Sequence, residues 1–152
     1  MSHAAYVDAL KMLGRRELSE AQLRERLARR GYDAGAIDDA VARLSAGRAI
    51  DDTRAAESIV RTAASSRRGK LRVGLALERA GIAAATARKA VDEAFATIDE
   101  DAYIEAAIIK RLHGRDTIAD DREYQRLYRY LVNQGFDSDR ILTRLTARKR
   151  SD

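Results

Sequence analysis

The sequence contains no cysteine and no proline among its 152 residues. Without cysteine, the chain can form no disulfide, thiol nucleophile or cysteine-ligated metal site, which is typical of a reducing compartment. Without proline, no residue of that type interrupts a helix, and the abundant alanine and arginine favour helix. No apolar run is long enough to span a membrane, and the first residues lack the apolar stretch of a secretion signal, so we expect a soluble cytoplasmic protein.

Residue types that carry chemistry are few and scattered. The two histidines, His3 and His113, lie far apart in the chain and have no evident partner. The acidic pairs at 38–39, 51–52 and 120–121 could be metal ligands, but the last two precede predicted helices, whose positive ends carboxylates stabilise. The glycines are single helix stops and do not form a phosphate-binding loop. We therefore expect no enzymatic activity, no cofactor and no metal.

The sequence does contain a repeated pattern of helix, glycine stop and helix, which is clearest in residues 19–52. The Ser-x-x-Gln spacing at 19–22 is that of a capping box, which predicts the start of a helix. Gly31 follows the last turn of this helix, and a glycine there can adopt the left-handed conformation that closes a helix. Asp33 predicts the start of the next helix, which we expect Gly47 to close in the same way.

The pattern occurs three times. Gly31, Gly81 and Gly135 are separated by 50 and 54 residues, and each has a leucine four positions before it and a tyrosine, isoleucine or phenylalanine directly after it. Such self-similarity is typical of a tandem array in which each unit packs mainly against its neighbours. We predict an all-α fold, an elongated curved array of three tandem three-helix repeats at 4–48, 51–98 and 99–148.

One segment also fits a different structure. Leu71, Val73, Leu75 and Leu77 alternate with other residues, so that a strand is possible. We favour a helix, because Val73, Leu77 and Ala80 also share a helical face.

The net charge of +5 and the isoelectric point near 9.7 favour a polyanionic partner. The charge is +2 in residues 1–50, +3 in 51–98 and zero in 99–152. The stretch from Ser58 to Leu77 contains five cations and no acid. It is either a solvated loop or a segment that binds phosphates or an acidic protein surface.

Two helical faces are also rich in arginine, one at 26 and 30 and the other at 122, 126 and 129. Each could equally be the solvated face of an ordinary amphipathic helix. Of the six tyrosines only Tyr130 lies at the edge of an apolar face, so base stacking has little support. The candidate partner- or DNA-binding residues are Arg26, Arg30, Arg61, Arg67, Arg68, Lys70, Arg72, Arg122, Arg126 and Arg129.

The segment ALKMLGRRELSEAQLRERLARRGYDAGAIDDAVARL resembles the opening of the RecX family of bacterial recombination regulators. In that family an arginine-glycine-aromatic-aspartate turn joins two helices, and a glycine and an aspartate pair follow, here within 47–52. The stretch SSRRGKLRVGLALERAGI and the pair Gly135-Phe136 match later family motifs, so the resemblance runs from about Ala4 to Leu145. The second repeat departs from the family, with alanine at 55 and 56 in place of an aromatic residue.

The resemblance implies a curved body of three three-helix units that binds the RecA recombinase filament on DNA. It implies modulation, mainly inhibition, of the ATPase, strand-exchange and co-protease activities of RecA, in DNA repair, homologous recombination and the SOS response. We expect a monomer that contacts the filament and single- or double-stranded DNA but no membrane. Two alternatives are a stand-alone helical nucleic-acid-binding module and a scaffold for another acidic protein.

Overall fold

The computed structural model describes residues 2–149, and in this range the chain is helical. Only Ile118 and Lys149 of the described residues form a β-bridge, and no strand occurs in that range. The predicted all-α fold is confirmed. The strand interpretation of Leu71–Leu77 is wrong, because these residues lie within the fifth helix. The nine helices of the described range are α1 (Ser2–Leu13), α2 (Glu20–Arg29), α3 (Ala34–Ala46), α4 (Asp52–Ser65), α5 (Lys70–Arg79), α6 (Ala84–Phe95), α7 (Glu100–Arg111), α8 (Asp121–Asn133) and α9 (Ser138–Thr146).

Side-chain caps define the helix starts, as the sequence predicted. The Ser19 hydroxyl accepts the Gln22 backbone N–H at 3.1 Å, and the Gln22 side chain accepts the Ser19 N–H at 3.0 Å, which completes the capping box. Asp33 at α3 and Asp120 at α8 each accept a backbone N–H at 2.8 Å. These bonds satisfy donors that the first turn of a helix otherwise leaves without a partner.

Left-handed residues follow several helices. Gly31, Gly81 and Gly135 have φ angles of 91°, 72° and 95° and close α2, α5 and α8. The prediction for Gly47 is wrong, because its φ is −84° and Arg48 is the left-handed residue, with φ 55°. The chain turns one residue later here, where Ala49 N–H bonds to the Leu44 carbonyl at 2.8 Å and Arg48 N–H to that of Ser45 at 3.1 Å. This is the bonding of a Schellman motif.

The acidic pair at 51–52 stabilises the starts of two helices. Asp51 accepts the backbone N–H groups of Thr53 and Arg54, at 2.9 and 3.2 Å, and thus caps α4. Asp52, in the first turn of α4, accepts the Glu20 N–H at 2.9 Å and so links α4 to the start of α2.

Contacts divide the chain into two compact units. The first unit comprises the residues up to 61 together with 76–90, and the second comprises 62–75 together with the residues from 91 onward. Helices α4, α5 and α6 each contribute residues to both units. The repeat boundaries 4–48, 51–98 and 99–148 and the curved, elongated shape remain predictions.

Each unit has an apolar core built from helix faces. The leucines of the repeated pattern, Leu27, Leu77 and Leu131, are fully buried. The first unit contains a cluster that includes Leu18, Leu23, Leu27, Val41, Leu44 and Ile50. The second contains Ile104, Ile108, Leu112, Ile118, Leu127, Leu131, Phe136, Ile141 and Leu145.

Candidate nucleic-acid interface

A cleft of about 390 Å³ lies in the first unit, beside the C-terminal parts of α1 and α2. Six cations and one carboxylate line this cleft, and Met12 is its single apolar lining residue. We call it the basic cleft, and its charged residues are Asp8, Lys11, Arg15, Arg16, Arg26, Arg29 and Arg30.

Helical spacing explains how the basic cleft is assembled. Three of its residues lie on α1 and three lie at the end of α2. Both sets have the spacing i, i+3 and i+4, which places each set along one side of its helix. The remaining two, Arg15 and Arg16, follow in the loop between these helices. The negative end of each helix favours cations nearby and stabilises part of this cluster.

Asp8 is the single carboxylate of the basic cleft, and two neighbouring side chains stabilise its negative charge. The Tyr32 hydroxyl donates a hydrogen bond to this carboxylate and lies 3.3 Å from the Ala4 carbonyl oxygen. Arg30 Nη1 lies 3.5 Å from Asp8 Oδ2. The Tyr32 hydrogen bond, with smaller effects from Arg30 and Lys11, lowers the pKa of Asp8, and the same hydrogen bond raises the pKa of Tyr32. Asp8 is therefore ionised at neutral pH.

Two of the six cations have an acidic partner. Arg30 pairs with Asp8, and Arg29 Nη2 lies 2.5 Å from Glu25 Oε1. The other four carry exposed side chains that form no ion pair with any residue the structure describes; these are Lys11, Arg15, Arg16 and Arg26.

The predicted cations at 68 and 72 form intramolecular bonds within the second unit. Arg68 Nη1 donates to the Gln134 side chain, and Arg72 Nη1 donates to the Asn133 carbonyl at 3.0 Å. These bonds hold the turn between α4 and α5 against the end of α8. The two side chains therefore have structural partners, and their predicted role in partner binding remains a prediction.

The other cations of this segment differ among themselves. Lys70 Nζ lies 3.4 Å from Asp92 Oδ1, and the Lys70 backbone N–H donates to Glu100 Oε2 at 3.1 Å. Arg61 and Arg67 are exposed and form no ion pair in the described range, and Arg67 has a left-handed φ of 53°. The segment thus includes the turn between α4 and α5, and three of its cations bond to residues of other helices or their ends. It does not present five free cations.

The arginine face of α8 lies on the surface of the second unit. Arg122, Arg126 and Arg129 are exposed and form no ion pair within residues 2–149. Tyr130 is half-buried, and the Arg111 guanidinium carbon lies 3.5 Å from the centre of its ring. A cation already covers that aromatic face, which argues against base stacking there.

The basic cleft contains four cations that the sequence pattern did not single out: Lys11, Arg15, Arg16 and Arg29. It also contains Arg26 and Arg30, which the pattern did predict. The sequence did contain a signal for the residues that were missed. An Arg-Arg pair at 15–16 follows the C-terminal end of α1, and a second Arg-Arg pair at 29–30 lies at the C-terminal end of α2.

Two kinds of feature are absent from the part of the chain that the structure describes. It contains no group of three or more histidine, aspartate or glutamate residues that could hold a metal ion. It also contains no helix with the length and apolar character required to cross a membrane.

Comparison with known proteins identifies relatives along nearly the whole chain. The model of the first three-helix domain of RecX matches residues 5–44, a range that includes the basic cleft. The regulatory protein RecX of Syntrophotalea carbinolica is 36% identical over 144 residues, which cover 88% of this chain and 89% of the relative. That of Halorhodospira halophila is 30% identical over 152 residues, with 99% and 92% covered. That of Acidithiobacillus ferrooxidans is 34% identical over 145 residues, with 95% and 90% covered.

Solved structures share the fold. A crystal structure of regulatory protein RecX superposes with a TM-score of 0.74 at 19% identity, covering 96% of this chain and 71% of that one. RecX from Lactobacillus salivarius gives a TM-score of 0.71 at 20% identity, with 96% and 97% covered. The fold is therefore the helical repeat fold of these structures, and with the sequence identities above this chain belongs to the RecX family of regulatory proteins.

Proposed function

We propose that this protein binds the RecA recombinase filament on DNA and modulates it, mainly by inhibiting its ATPase, strand-exchange and co-protease activities. The observation that carries the proposal is the 36% identity to a regulatory protein RecX across 88% of the chain. The order of the family motifs along the sequence supports the same function.

The surface of the protein is suited to a partner that carries negative charge. The basic cleft and the arginine face of α8 present cations that form no ion pair in the described range. A nucleoprotein filament offers phosphates as well as acidic side chains. Complementary charge would accelerate the encounter and orient the protein on the filament.

The test measures ATP hydrolysis by RecA on single-stranded DNA while this protein is added up to saturation. We expect the rate to fall to a low plateau. An unchanged rate at saturation would overturn the proposal. A control in which ADP is supplied directly to the coupled assay shows whether the coupling enzymes themselves are affected.

The basic cleft also favours a second candidate, a stand-alone nucleic-acid-binding module. Such a module would inhibit RecA only by occupying DNA, so excess DNA would restore the ATPase rate. A regulator that binds the filament would continue to inhibit under the same condition. The two functions are thus distinguished by one titration with DNA.

A further inference from the structure

We propose that copies of this chain associate end to end, with the start of α8 of one copy docked on the turn after α2 of the next. The partner is thus a second copy of the chain. At low concentration the protein remains the monomer that we expect from the sequence. The inference goes beyond the proposed function, and it can be tested without RecA or DNA.

In the first unit, the start of α2 lies against the turn after α5. The Ser19 hydroxyl, directly before α2, donates to the Ala80 carbonyl, which precedes the left-handed Gly81. A Cβ atom at Gly81 would overlap the Cβ atom of Ala21, so the first turn of α2 contacts the glycine itself. We call this arrangement, in which a helix start bonds to the carbonyl before a left-handed glycine and packs against that glycine, a turn contact.

The second unit contains a turn contact of the same kind, between the start of α5 and the turn after α8. Gly69 N–H, directly before α5, donates to the Gln134 carbonyl at 2.8 Å, and Leu71 N–H donates to the Gly135 carbonyl at 3.0 Å. A Cβ atom at Gly135 would overlap the backbone nitrogen of Arg72. One interaction is therefore used twice, at equivalent positions of the repeated pattern.

A further bond accompanies each turn contact. The backbone N–H of the first residue of the docked helix donates to a carboxylate, from Glu20 to Asp52 at 2.9 Å and from Lys70 to Glu100 at 3.1 Å. The first N–H groups of a helix have no partner within the helix, so a docked helix start gains acceptors from the elements around it.

The turn after α2 has the same conformation but carries no docked helix. Gly31 has a φ of 91°, yet a Cβ atom there would meet no other atom within 4 Å. The carbonyls of Arg30 and Gly31 accept no hydrogen bond from any residue that the structure describes. Arg30 is exposed, whereas its equivalents Ala80 and Gln134 are buried and half-buried. This half of a turn contact is therefore unoccupied within the described chain.

The start of α8 is the complementary half, a helix start that docks on no turn of the described residues. Asp120 is equivalent to Ser19 and Gly69 as the residue directly before the helix. Ser19 and Gly69 are buried, whereas Asp120 is exposed. The backbone N–H groups of Asp121 and Arg122 form no hydrogen bond within residues 2–149. Each chain thus carries one free turn and one free helix start.

Charge favours a second copy as the occupant of the turn after α2. This turn carries Arg29 and Arg30 directly before its glycine, where the turns after α5 and α8 carry Arg-Ala and Asn-Gln. The start of α8 and the loop before it carry Asp116, Asp120 and Asp121, none of which forms an ion pair in the described range. Opposite charges on the two surfaces favour their encounter and fix their orientation.

Arg122 is the one cation in the first turn of α8, and the second unit shows how such a residue is accommodated. Arg72, in the first turn of α5, donates to the Asn133 carbonyl at the end of α8 at 3.0 Å. The Arg29 carbonyl is the equivalent acceptor at the end of α2. An arginine in the docked helix start is therefore compatible with a turn contact.

The two surfaces differ from each other, so the association is head to tail and can add copies one after another. Because one helix start and one turn form only a small interface, the association is weak. We expect a dissociation constant of about 0.1 to 1 mM.

The experiment is sedimentation equilibrium of the full chain without RecA or nucleic acid, from about 10 μM to about 1 mM protein. We expect the weight-average mass to rise above the 16.9 kDa of one chain as the concentration increases. Sodium chloride at about 1 M should reduce the association, because it screens the attraction between exposed charges. A mass that stays at one chain up to the highest concentration would overturn the inference.

Two variants each block one half of the contact. Gly31→Ala places a Cβ atom where a docked helix start would lie, as the overlaps at Gly81 and Gly135 indicate. Asp120→Asn combined with Asp121→Arg keeps a capping side chain and places a like charge opposite the arginines of the turn. Each variant alone should associate at least about tenfold more weakly than the parent protein.

An equimolar mixture of the two variants gives a sharper test, since each variant retains the half that the other lacks. The intact α8 start of the Gly31→Ala protein should dock on the intact turn of the other variant. The mixture should therefore form a dimer of about twice the mass of one chain and grow no further. A mixture that stays monomeric, or that grows beyond a dimer, would overturn the head-to-tail assignment.

Gly114→Ala is the matched control for backbone strain. Gly114 has a φ of 85°, and a Cβ atom there would meet no other atom within 4 Å, so the substitution strains the chain as Gly31→Ala does. The melting temperatures of the two variants should fall equally, but only Gly31→Ala should weaken self-association. Equal losses of association in the two variants would contradict a role for the turn after α2.

Inhibition of RecA distinguishes the other occupant of the turn. If the parent protein stays monomeric while Gly31→Ala, but not Gly114→Ala, weakens inhibition of the RecA ATPase, the turn docks RecA. In that case the inference fails and the proposed function stands. If the chain associates end to end but leaves RecA unaffected, the inference stands and the proposed function fails.

Discussion

The turn after α2 and the turn after α8 have the same pattern, a glycine followed by an aromatic residue and an aspartate. Gly31 and Gly135 have similar φ angles, 91° and 95°. Their surroundings differ. A Cβ atom at Gly31 would meet no other atom within 4 Å, whereas one at Gly135 would overlap the backbone nitrogen of Arg72 and lie 2.9 Å from its Cα.

The two glycines are therefore required for different reasons. At Gly31 the left-handed backbone alone disfavours a side chain. At Gly135 the missing side chain also lets the turn between α4 and α5 approach, since Gly69 N–H bonds to the Gln134 carbonyl at 2.8 Å and Leu71 N–H to that of Gly135 at 3.0 Å. The shared motif thus predicts the conformation of the turn. The residues packed against the turn determine how much stability is lost when its glycine is replaced.

The largest expected effect comes from placing a side chain at these glycines. Gly31→Ala should cost about 1 to 2 kcal/mol, the strain of a left-handed non-glycine residue. Gly135→Ala should cost about 2 to 5 kcal/mol, because displacement of the Arg72 backbone adds to that strain. Valine should be worse at both positions, since a β-branched residue resists positive φ. Urea unfolding measures the losses, and equal losses at the two positions would contradict the comparison.

Gly69 separates close approach from backbone strain. Its φ is not positive, yet a Cβ there would overlap the Gly135 carbonyl group and lie 2.6 Å from the Phe136 nitrogen. Gly69→Ala should therefore cost up to about 3 kcal/mol through steric overlap alone. The losses of Gly31→Ala and Gly69→Ala should together approach that of Gly135→Ala. If Gly69→Ala is as stable as the parent protein, the turn after α8 moves away from residue 69 at little cost in free energy.

The helix caps offer a smaller contrast. Ser19 is fully buried, and its hydroxyl accepts the Gln22 N–H and donates to the Ala80 carbonyl. Ser19→Ala should cost about 2 kcal/mol, because a cap is lost and a buried carbonyl loses its donor. Asp137 accepts one exposed backbone N–H at 3.0 Å, and Asp137→Ala should cost about 1 kcal/mol or less. Thermal melts of both variants compare the two, and a Ser19→Ala loss no larger than that of Asp137→Ala would exclude a role for the Ala80 bond.

Local signals in the sequence predicted much of this fold. Capping residues, left-handed glycines and the leucines before them depend on neighbours within one helix turn, so a single sequence carries the information. The end of α3 shows the limit of this rule. Gly47 precedes the left-handed position, which Arg48 occupies, and the sequence alone favours the glycine.

The surface charges were harder to predict, because their partners are distant in the chain. Arg68 resembles a free cation in the sequence, yet its partner Gln134 lies 66 residues away. In the same way, Arg15 and Arg16 belong to no helical stripe. They join Arg26 only because the fold brings the loop after α1 beside the end of α2.

The smallest effects concern two carboxylates whose pKa values are lowered for different reasons. In the first unit, the hydrogen bond from the neutral Tyr32 hydroxyl is the main cause for Asp8. In the second unit, Arg115 lowers the pKa of Glu123 through two hydrogen bonds of 3.0 and 2.6 Å. A carboxylate with a lowered folded-state pKa stabilises the protein above its unfolded pKa of about 4 and loses that contribution as the pH falls through the folded pKa.

Carboxyl-detected NMR titration can separate the two causes. Tyr32→Phe should raise the pKa of Asp8 toward its ordinary value and leave that of Glu123 unchanged. Added salt should raise the pKa of Glu123 more than that of Asp8, because salt screens an ion pair more than a hydrogen bond from a neutral donor. If Asp8 keeps its lowered pKa in the Tyr32→Phe variant, then the positive charges of Arg30 and Lys11 are the main cause of the lowered pKa. In that case the basic cleft itself, and not the turn after α2, sets the ionisation of its one carboxylate.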